Sequence, residues 1–188
     1  MKGDHSFIKR PRIILVGNPN VGKSVIFGHL TGRYVTVSNY PGTTVEVTRG
    51  EARLEGKSFE VLDTPGVNNL VPFSEEERVT RDILLDEDYQ LILQVADAKN
   101  LRRSLLLTLQ LTEMRIPFLL DLNLMDEAQE RGIQIDIQRL SEILGIEVIP
   151  TVATQRRGLE RLIRQVREAH PSSFHFSYSP ALEKAIQR

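Results

Sequence analysis

Eight consecutive residues, Gly17-Asn18-Pro19-Asn20-Val21-Gly22-Lys23-Ser24, carry the spacing G-x-x-x-x-G-K-[ST]. The two glycines let the backbone turn so that successive N–H groups point inward. Lys23 adds a full charge for β- and γ-phosphate oxygens, and the Ser24 hydroxyl is a hard oxygen ligand for Mg²⁺. Chance places four such fixed positions in roughly one chain of this size in a hundred. The flanks make coincidence weaker still: Ile13-Ile14-Leu15-Val16 reads as a buried strand, and Val25 to Leu30 as a helix stopped by Gly32. Strand, glycine loop and helix start in that order form an anion cradle from Gly17 to Val25, and imply a nucleoside triphosphate.

Four more signatures belong to the same chemistry. Asp63-Thr64-Pro65-Gly66 closes a strand; Asp63 is the acid expected to hold Mg²⁺, usually through water, and Gly66 the donor of an N–H to the γ-phosphate. In the stretch Gly42-Thr43-Thr44, Thr44 is the candidate for a second hydroxyl on Mg²⁺ when a γ-phosphate is present, with Thr43 the competing choice. Asn123-Leu124-Met125-Asp126 follows a later strand. A carboxylate at Asp126 accepts both donors on the Watson–Crick edge of guanine, and adenine offers no such pair. Asn123 would brace that loop, and Leu124 stands where a lysine stem is usual. Val152-Ala153-Thr154 lies where a backbone N–H would meet the guanine oxygen. Hydrolysis is the unusual part. The position after Gly66, where a glutamine often orients water, is Val67. Asn20 is therefore read as a ligand for a monovalent cation bridging the β- and γ-phosphates, in preference to a purely loop-shaping role.

Positioning these residues takes alternating strands and helices. Strands are expected over 45–50, 59–62, 91–96, 118–122 and 147–149 besides the first, and helices over 74–85, 101–114, 137–144 and 159–169. Ser74 and Glu77 form a capping box, and Glu55-Gly56-Lys57 lies near a hairpin turn. Residues 33–44 read as irregular. The expected fold is α/β: a six-stranded, mostly parallel sheet with one antiparallel edge strand and helices on both faces, of the Ras-like P-loop GTPase kind. Residues 1–11 read as a lead-in, 12–170 as the nucleotide domain and 171–188 as a tail. Ser179-Pro180 would open a helix from Ala181, expected to be the first of a following helical domain cut short here.

Composition narrows the partners. With 24 basic and 25 acidic residues among 188, the net charge of −1 gives no field to steer the chain onto nucleic acid. There is no cysteine, so disulfides and thiolate metal sites are excluded. The four histidines lack metal-like spacing and are expected to be solvated, as are the arginines at 156, 157, 161, 164 and 167.

Taken together, GNPNVGKS, SNYPGTTVEV, LDTPGV, SEEERVTRDILL, VADAKNLRRSLLLTLQL and LMDEAQERGIQIDIQRLSEILGIEVIPTVA resemble the cytosolic G domain of the bacterial ferrous-iron transporter B family (FeoB). The resemblance runs from about Arg12 to Val166. It implies GTP and GDP as ligands, with Mg²⁺ on Ser24, Thr44 and Asp63 and K⁺ on Asn20. Asn20, Lys23 and Thr44 then become the catalytic set. It also implies a GTP switch tethered to a membrane transporter that moves Fe²⁺, on the cytoplasmic face of the bacterial inner membrane, with small Feo accessory proteins as partners. Tyr40 stands where the family commonly has Trp, and Ser38 where it has Gly. The alternatives are a soluble GTPase of the ribosome- or RNA-processing type, which usually keeps the lysine that Leu124 replaces, and a non-hydrolysing nucleotide-regulated module, which Val67 would permit.

Overall fold

The computed structural model describes residues 11–32, 35–86, 88–166, 168–174 and 184; apart from Pro11 and Lys184, the expected lead-in over 1–11 and helix over 181–188 lie outside them. Seven strands form one sheet: β1 (Arg12–Gly17), β2 (Val35–Asn39), β3 (Glu46–Leu54), β4 (Lys57–Asp63), β5 (Leu91–Asp97), β6 (Phe118–Asn123) and β7 (Val148–Pro150). Their order is β2-β3-β4-β1-β5-β6-β7. β1 is central and its apolar run is wholly buried. Ile13 and Leu15 face a cluster with Ile26, Phe27 and Leu30 of α1 (Lys23–Leu30) and Leu159 and Leu162 of α6 (Leu159–Gln165). Ile14 and Val16 face the other cluster, with Val79 and Ile83 of α2 (Glu75–Asp86) and Leu107 and Leu111 of α3 (Leu101–Glu113). A continuous apolar strand is what burial on both faces requires.

The sheet has seven strands rather than six. The extra one is β2, within the stretch that reads as irregular. All five of its residues are exposed, its alternation is only the pair Val35 and Val37, and it is held by main-chain pairing with β3 from Val35↔Gly50 to Asn39↔Glu46. One strand does run against the others, but it is β3, one place in from the edge. β3 and β4 meet at Glu55-Gly56, both with positive φ (50° and 81°), as a two-residue hairpin of primed type demands. Between β2 and β3, Thr43 donates its N–H to Tyr40 O (3.0 Å) across Pro41-Gly42, and Gly42 takes φ 76°, the geometry for which a turn selects Pro then Gly.

Other departures are local. A short helix, α4 (Met125–Glu130), follows β6 where the sequence offers no apolar period. α5 (Ile137–Leu144) ends on Gly145 with φ 58°, and α6 stops at Gln165 rather than running to 169. Ser74 caps α2 by accepting the Glu77 N–H (3.2 Å), but the Glu77 carboxylate does not return to Ser74. It accepts from Phe73 N (3.0 Å) and Asn68 N (3.3 Å), fastening the loop that precedes the helix. Residues 171–174 strap onto α5: the Ser172 hydroxyl donates to Leu144 O (2.6 Å) and Ser173 N to Gly145 O (3.3 Å).

Candidate functional site

The signature loops after β1, β4, β6 and β7 lie at the carboxyl ends of parallel strands, and the Gly42–Thr44 turn follows β2, which pairs antiparallel with β3. The glycine loop leaves β1 where the chain order reverses between β4 and β5, the place where open α/β sheets bind ligands. Gly17 is required sterically, since a Cβ there would collide with Val95 O. Gly22 takes φ 86°, and a Cβ on it would strike the Asn123 carboxamide. Asn18, Pro19, Asn20, Gly22, Lys23, Ser24, Val25 and Gly66 line a cavity of about 420 Å³ at the start of α1.

At the floor of this cavity the buried Lys23 ammonium donates to Asp63 Oδ1 and to the carbonyl of Thr64. Ser24 Oγ donates to the other carboxylate oxygen of Asp63 (3.2 Å). The expected lysine, hydroxyl and acid thus converge, and Ser24 with Asp63 presents the hard oxygen donors that suit Mg²⁺. Gly66 packs against Pro19; a Cβ there would lie 2.8 Å from Pro19 Cα. Val67 is buried in the core and its N–H donates to Gly17 O (2.9 Å), so its side chain takes no part in the cavity. Asn20 is exposed on the rim with φ 63°, a left-handed conformation that asparagine tolerates best among non-glycine residues. Asparagine thus suits the backbone at this position, and its exposed side chain remains the candidate for the cation expected of it.

Gly42, Thr43 and Thr44 do not join this cluster. Thr43 is spent on its own turn: its hydroxyl donates to Tyr40 O (2.9 Å) and accepts from Val45 N (3.2 Å). The exposed Thr44 hydroxyl donates to Glu75 Oε2 (3.3 Å) at the start of α2, so this arrangement does not bring it to Ser24 and Asp63. If Thr44 is recruited by a γ-phosphate, Thr44→Ala is expected to weaken triphosphate binding more than diphosphate binding. Titration with GDP and with a non-hydrolysable triphosphate checks this, and equal losses would show that no such recruitment occurs.

The base side is organised by Asn123. Its Nδ2 donates to Val21 O (3.0 Å), while its Oδ1 accepts from Ala153 N (3.0 Å) and faces Thr151 Oγ1 (3.2 Å). One carboxamide thus ties the glycine loop to the loop after β7. Leu124 holds φ 63° at the N-cap of α4, Met125 N donates to Thr151 O (3.2 Å), and Asp126 lies in the first turn. Asp126 Oδ1 accepts from Glu127 N (2.9 Å) and Oδ2 from Gln155 Nε2 (3.2 Å), so the carboxylate is held between the start of α4 and the loop after β7. Val152 and Ala153 are buried and Thr154 is exposed. The Ala153 amide already serves Asn123.

Sequence reasoning misses four supporting groups. Asn68 Oδ1 accepts from Asn18 Nδ2 (3.1 Å) and from Arg103 of α3 (Nη2, 2.7 Å), so the loop after Asp63 is pinned between the glycine loop and α3. His29, expected to be solvated, instead bonds Ala153 O through Nε2 (2.9 Å), across 124 positions of sequence. His170 is exposed, as expected, and His5 and His175 lie outside the described residues.

The fourth is Asp121, wholly buried in β6, where burial pushes its carboxyl up to about 7 against a smaller opposing pull from the Thr151 hydroxyl bond. A folded-state value above the unfolded one means that the proton-linked stability is full below about pH 4 and lost as pH rises through about 7. Asp121→Asn carries no such loss. In urea melts its stability advantage over the wild type is expected to grow from about pH 4 to about pH 7, by a few kcal/mol, and stay constant above. An advantage that does not change with pH would show that this carboxyl titrates normally.

Comparison with known proteins follows the same residues. The family model for ferrous iron transport protein B matches residues 11–166. The cytosolic domain of L. pneumophila FeoB superposes with a TM-score of 0.88 at 37% identity, covering 94% of this chain and 76% of that one. A T. maritima FeoB cytosolic domain in GMPPNP form gives 0.87 at 35% identity, covering 94% and 71%. A Porphyromonas gingivalis Fe(2+) transport protein A/Fe(2+) transporter FeoB fusion protein is 38% identical over 183 residues, 94% of this chain and 22% of that protein. The chain spans roughly a quarter of the length of the curated relatives it matches. Among the described residues, no helix is long and apolar enough to cross a membrane. With a matching family model that runs from the foot of β1 to the end of α6, and with the fold of solved FeoB cytosolic domains, the chain belongs to the ferrous iron transport protein B family.

Proposed function

We propose that this chain binds guanine nucleotide and hydrolyses GTP to GDP and phosphate with Mg²⁺ and K⁺, as the switch domain of a Fe²⁺ transporter. The observation that carries the reading is Asp63, one buried carboxylate shared by the lysine and the serine of the glycine loop. FeoB cytosolic domains crystallised with GDP, from S. thermophilus, and in GMPPNP form, from T. maritima, support guanine nucleotide as the ligand.

In this mechanism Lys23 exchanges Asp63 and the Thr64 carbonyl for β- and γ-phosphate oxygens. Inward N–H groups of the loop, with that of Gly66, orient the triphosphate for in-line attack by water, and the bond from the γ-phosphorus to the bridging oxygen breaks. Ser24 and Asp63 would hold Mg²⁺, joined by Thr44, and Asn20 would hold K⁺. When bound, they would supply positive charge against the phosphate oxygens. Asp126 selects guanine, with the loop from Val152 to Thr154 closing over the base.

The domain proper covers 12–170, and the tail leads toward a helical domain and the membrane portion of a longer chain. In this reading the domain works on the cytoplasmic face of the bacterial inner membrane, and its balanced charge gives nucleic acid no field to follow. The fusion found in Porphyromonas gingivalis supports a small Feo accessory protein as a partner. Fe²⁺ is taken here as cargo of the longer chain; among the described residues no group of three or more His, Asp or Glu gathers as a metal site. Single-turnover GTP hydrolysis tests the reading: a rate higher in K⁺ than in Na⁺ is expected. No hydrolysis above the uncatalysed background in either salt would leave a nucleotide-binding module without GTPase activity.

A further inference from the structure

The carboxamide of Asn123 has a fixed orientation, because its Nδ2 donates to Val21 O (3.0 Å) and its Oδ1 accepts from Ala153 N (3.0 Å). Thr151 Oγ1 therefore faces an acceptor on Asn123 (3.2 Å), and on its other side it lies within bonding distance of Asp121 Oδ1. A hydroxyl has one proton. If Asp121 is a carboxylate, two acceptors compete for that proton, and the charge sits in a wholly buried strand with Oδ2 unpartnered. A proton on Asp121 Oδ1 removes the conflict: Asp121 donates to Thr151, and Thr151 donates to Asn123. The unpartnered Oδ2 is then a neutral carbonyl oxygen, far cheaper to bury than an anionic one.

We propose that protonated Asp121 is a positioning residue of the base pocket, acting through Thr151 to hold Asn123 between the glycine loop and the loop after β7. The inference rests on the guanine-nucleotide reading above. The direction of the Asp121 carboxyl, raised by burial, agrees with it. Asp121 projects from β6 on the face of Leu119 and Asn123, toward α1 and α6. The ionisable groups on the neighbouring elements have other engagements or face solvent. Lys23 of α1 is bonded to Asp63, and His29 to Ala153 O. Arg161 of α6 pairs with Glu147, while Glu160 and Arg164 are exposed. Arg156 and Arg157, after the loop, are exposed, and Asp97 of β5 caps Lys99 N. β7 carries no ionisable side chain.

The test measures GDP affinity by calorimetry with Mg²⁺ at about pH 6 and about pH 8.5, values that bracket the Asp121 titration. Asp121→Asn supplies a permanent donor to Thr151, and the ratio of wild-type to variant Kd cancels the ionisations of GDP itself. That ratio is expected to rise by about three- to tenfold from the lower to the higher pH, the worth of one neutral hydrogen bond. Thr151→Val breaks the relay by another route and is expected to bind weakly, with no contribution from the Asp121 proton at either pH. His29→Gln, altering the other ionisable group bonded to this loop, is expected to keep the wild-type profile. A constant ratio would overturn the inference, as would a pH response that vanishes in His29→Gln and persists in Asp121→Asn. GDP binding that is absent at both pH values would overturn the nucleotide reading and the relay together, whereas binding with a constant ratio removes the relay alone.

Discussion

Asp126→Asn is expected to weaken GDP and GTP binding by about ten- to a hundredfold while improving binding of the xanthine nucleotides, because a bidentate carboxylate–base pairing discriminates at about 1–3 kcal/mol. The carboxylate accepts from two donors on guanine. An asparagine amide turns one of those contacts into donor against donor, which suits the carbonyl that xanthine presents at that edge. The geometry favours a clean result. Asp126 is oriented by the Glu127 amide on one oxygen and the Gln155 side chain on the other, and a carboxamide can keep one of the two contacts. Competition of xanthosine diphosphate against GDP in wild type and variant measures the exchange of preference. Unchanged guanine selectivity would move base recognition to another group.

Asn20→Gly is expected to abolish K⁺ stimulation, bringing the K⁺/Na⁺ rate ratio from about tenfold or more down to about one, with GDP affinity kept within a few-fold. Glycine is the informative replacement because residue 20 has φ 63°. Alanine would remove the carboxamide and strain the loop at once, whereas glycine enters the left-handed region freely and removes only the side chain. Comparing the two separates the roles. If Asn20→Gly keeps the salt dependence and only Asn20→Ala loses activity, Asn20 serves backbone shape and the cation is held elsewhere.

How far these residues were legible from sequence depends on whether their signal is local. The glycine loop, Asp63, Asn123 and Asp126 are short patterns at strand ends, and the structure brings Lys23, Ser24 and Asp63 to one point and Asn123 beside the glycine loop. The buried strands β1, β5 and β6 announce themselves as apolar runs. β2 offers only the two-residue alternation of Val35 and Val37, all its residues are exposed, and its main-chain bonds to β3 are not recorded by periodicity. α4 is too short for a period and is fixed by flanking loops. His29, Arg103 and Gln155 act on partners far along the chain, so no window of sequence contains both ends of the contact. Asp121 did leave a trace, an acid in the middle of the apolar run Phe118-Leu119-Leu120-Asp121-Leu122. An ionisable residue inside a buried strand needs a partner, and Thr151, just past the next strand, is that partner.

The exposed strand β2 sets the energetic terms on which the Tyr40–Val45 turn can rearrange. Val35 and Val37 are already 45% and 56% exposed, so peeling this edge uncovers little apolar surface beyond what water already wets. Moving Thr44 from Glu75 toward Ser24 and Asp63, as proposed, exchanges a handful of hydrogen bonds for others to water or to the incoming phosphate, with the buried Val45 beside it as the fixed end of the turn. In the proposed switch β2 is a fringe held by main-chain pairing, whereas the turn itself is anchored by Val45 and Tyr40, which pack on the face of the sheet that α2 and α3 cover.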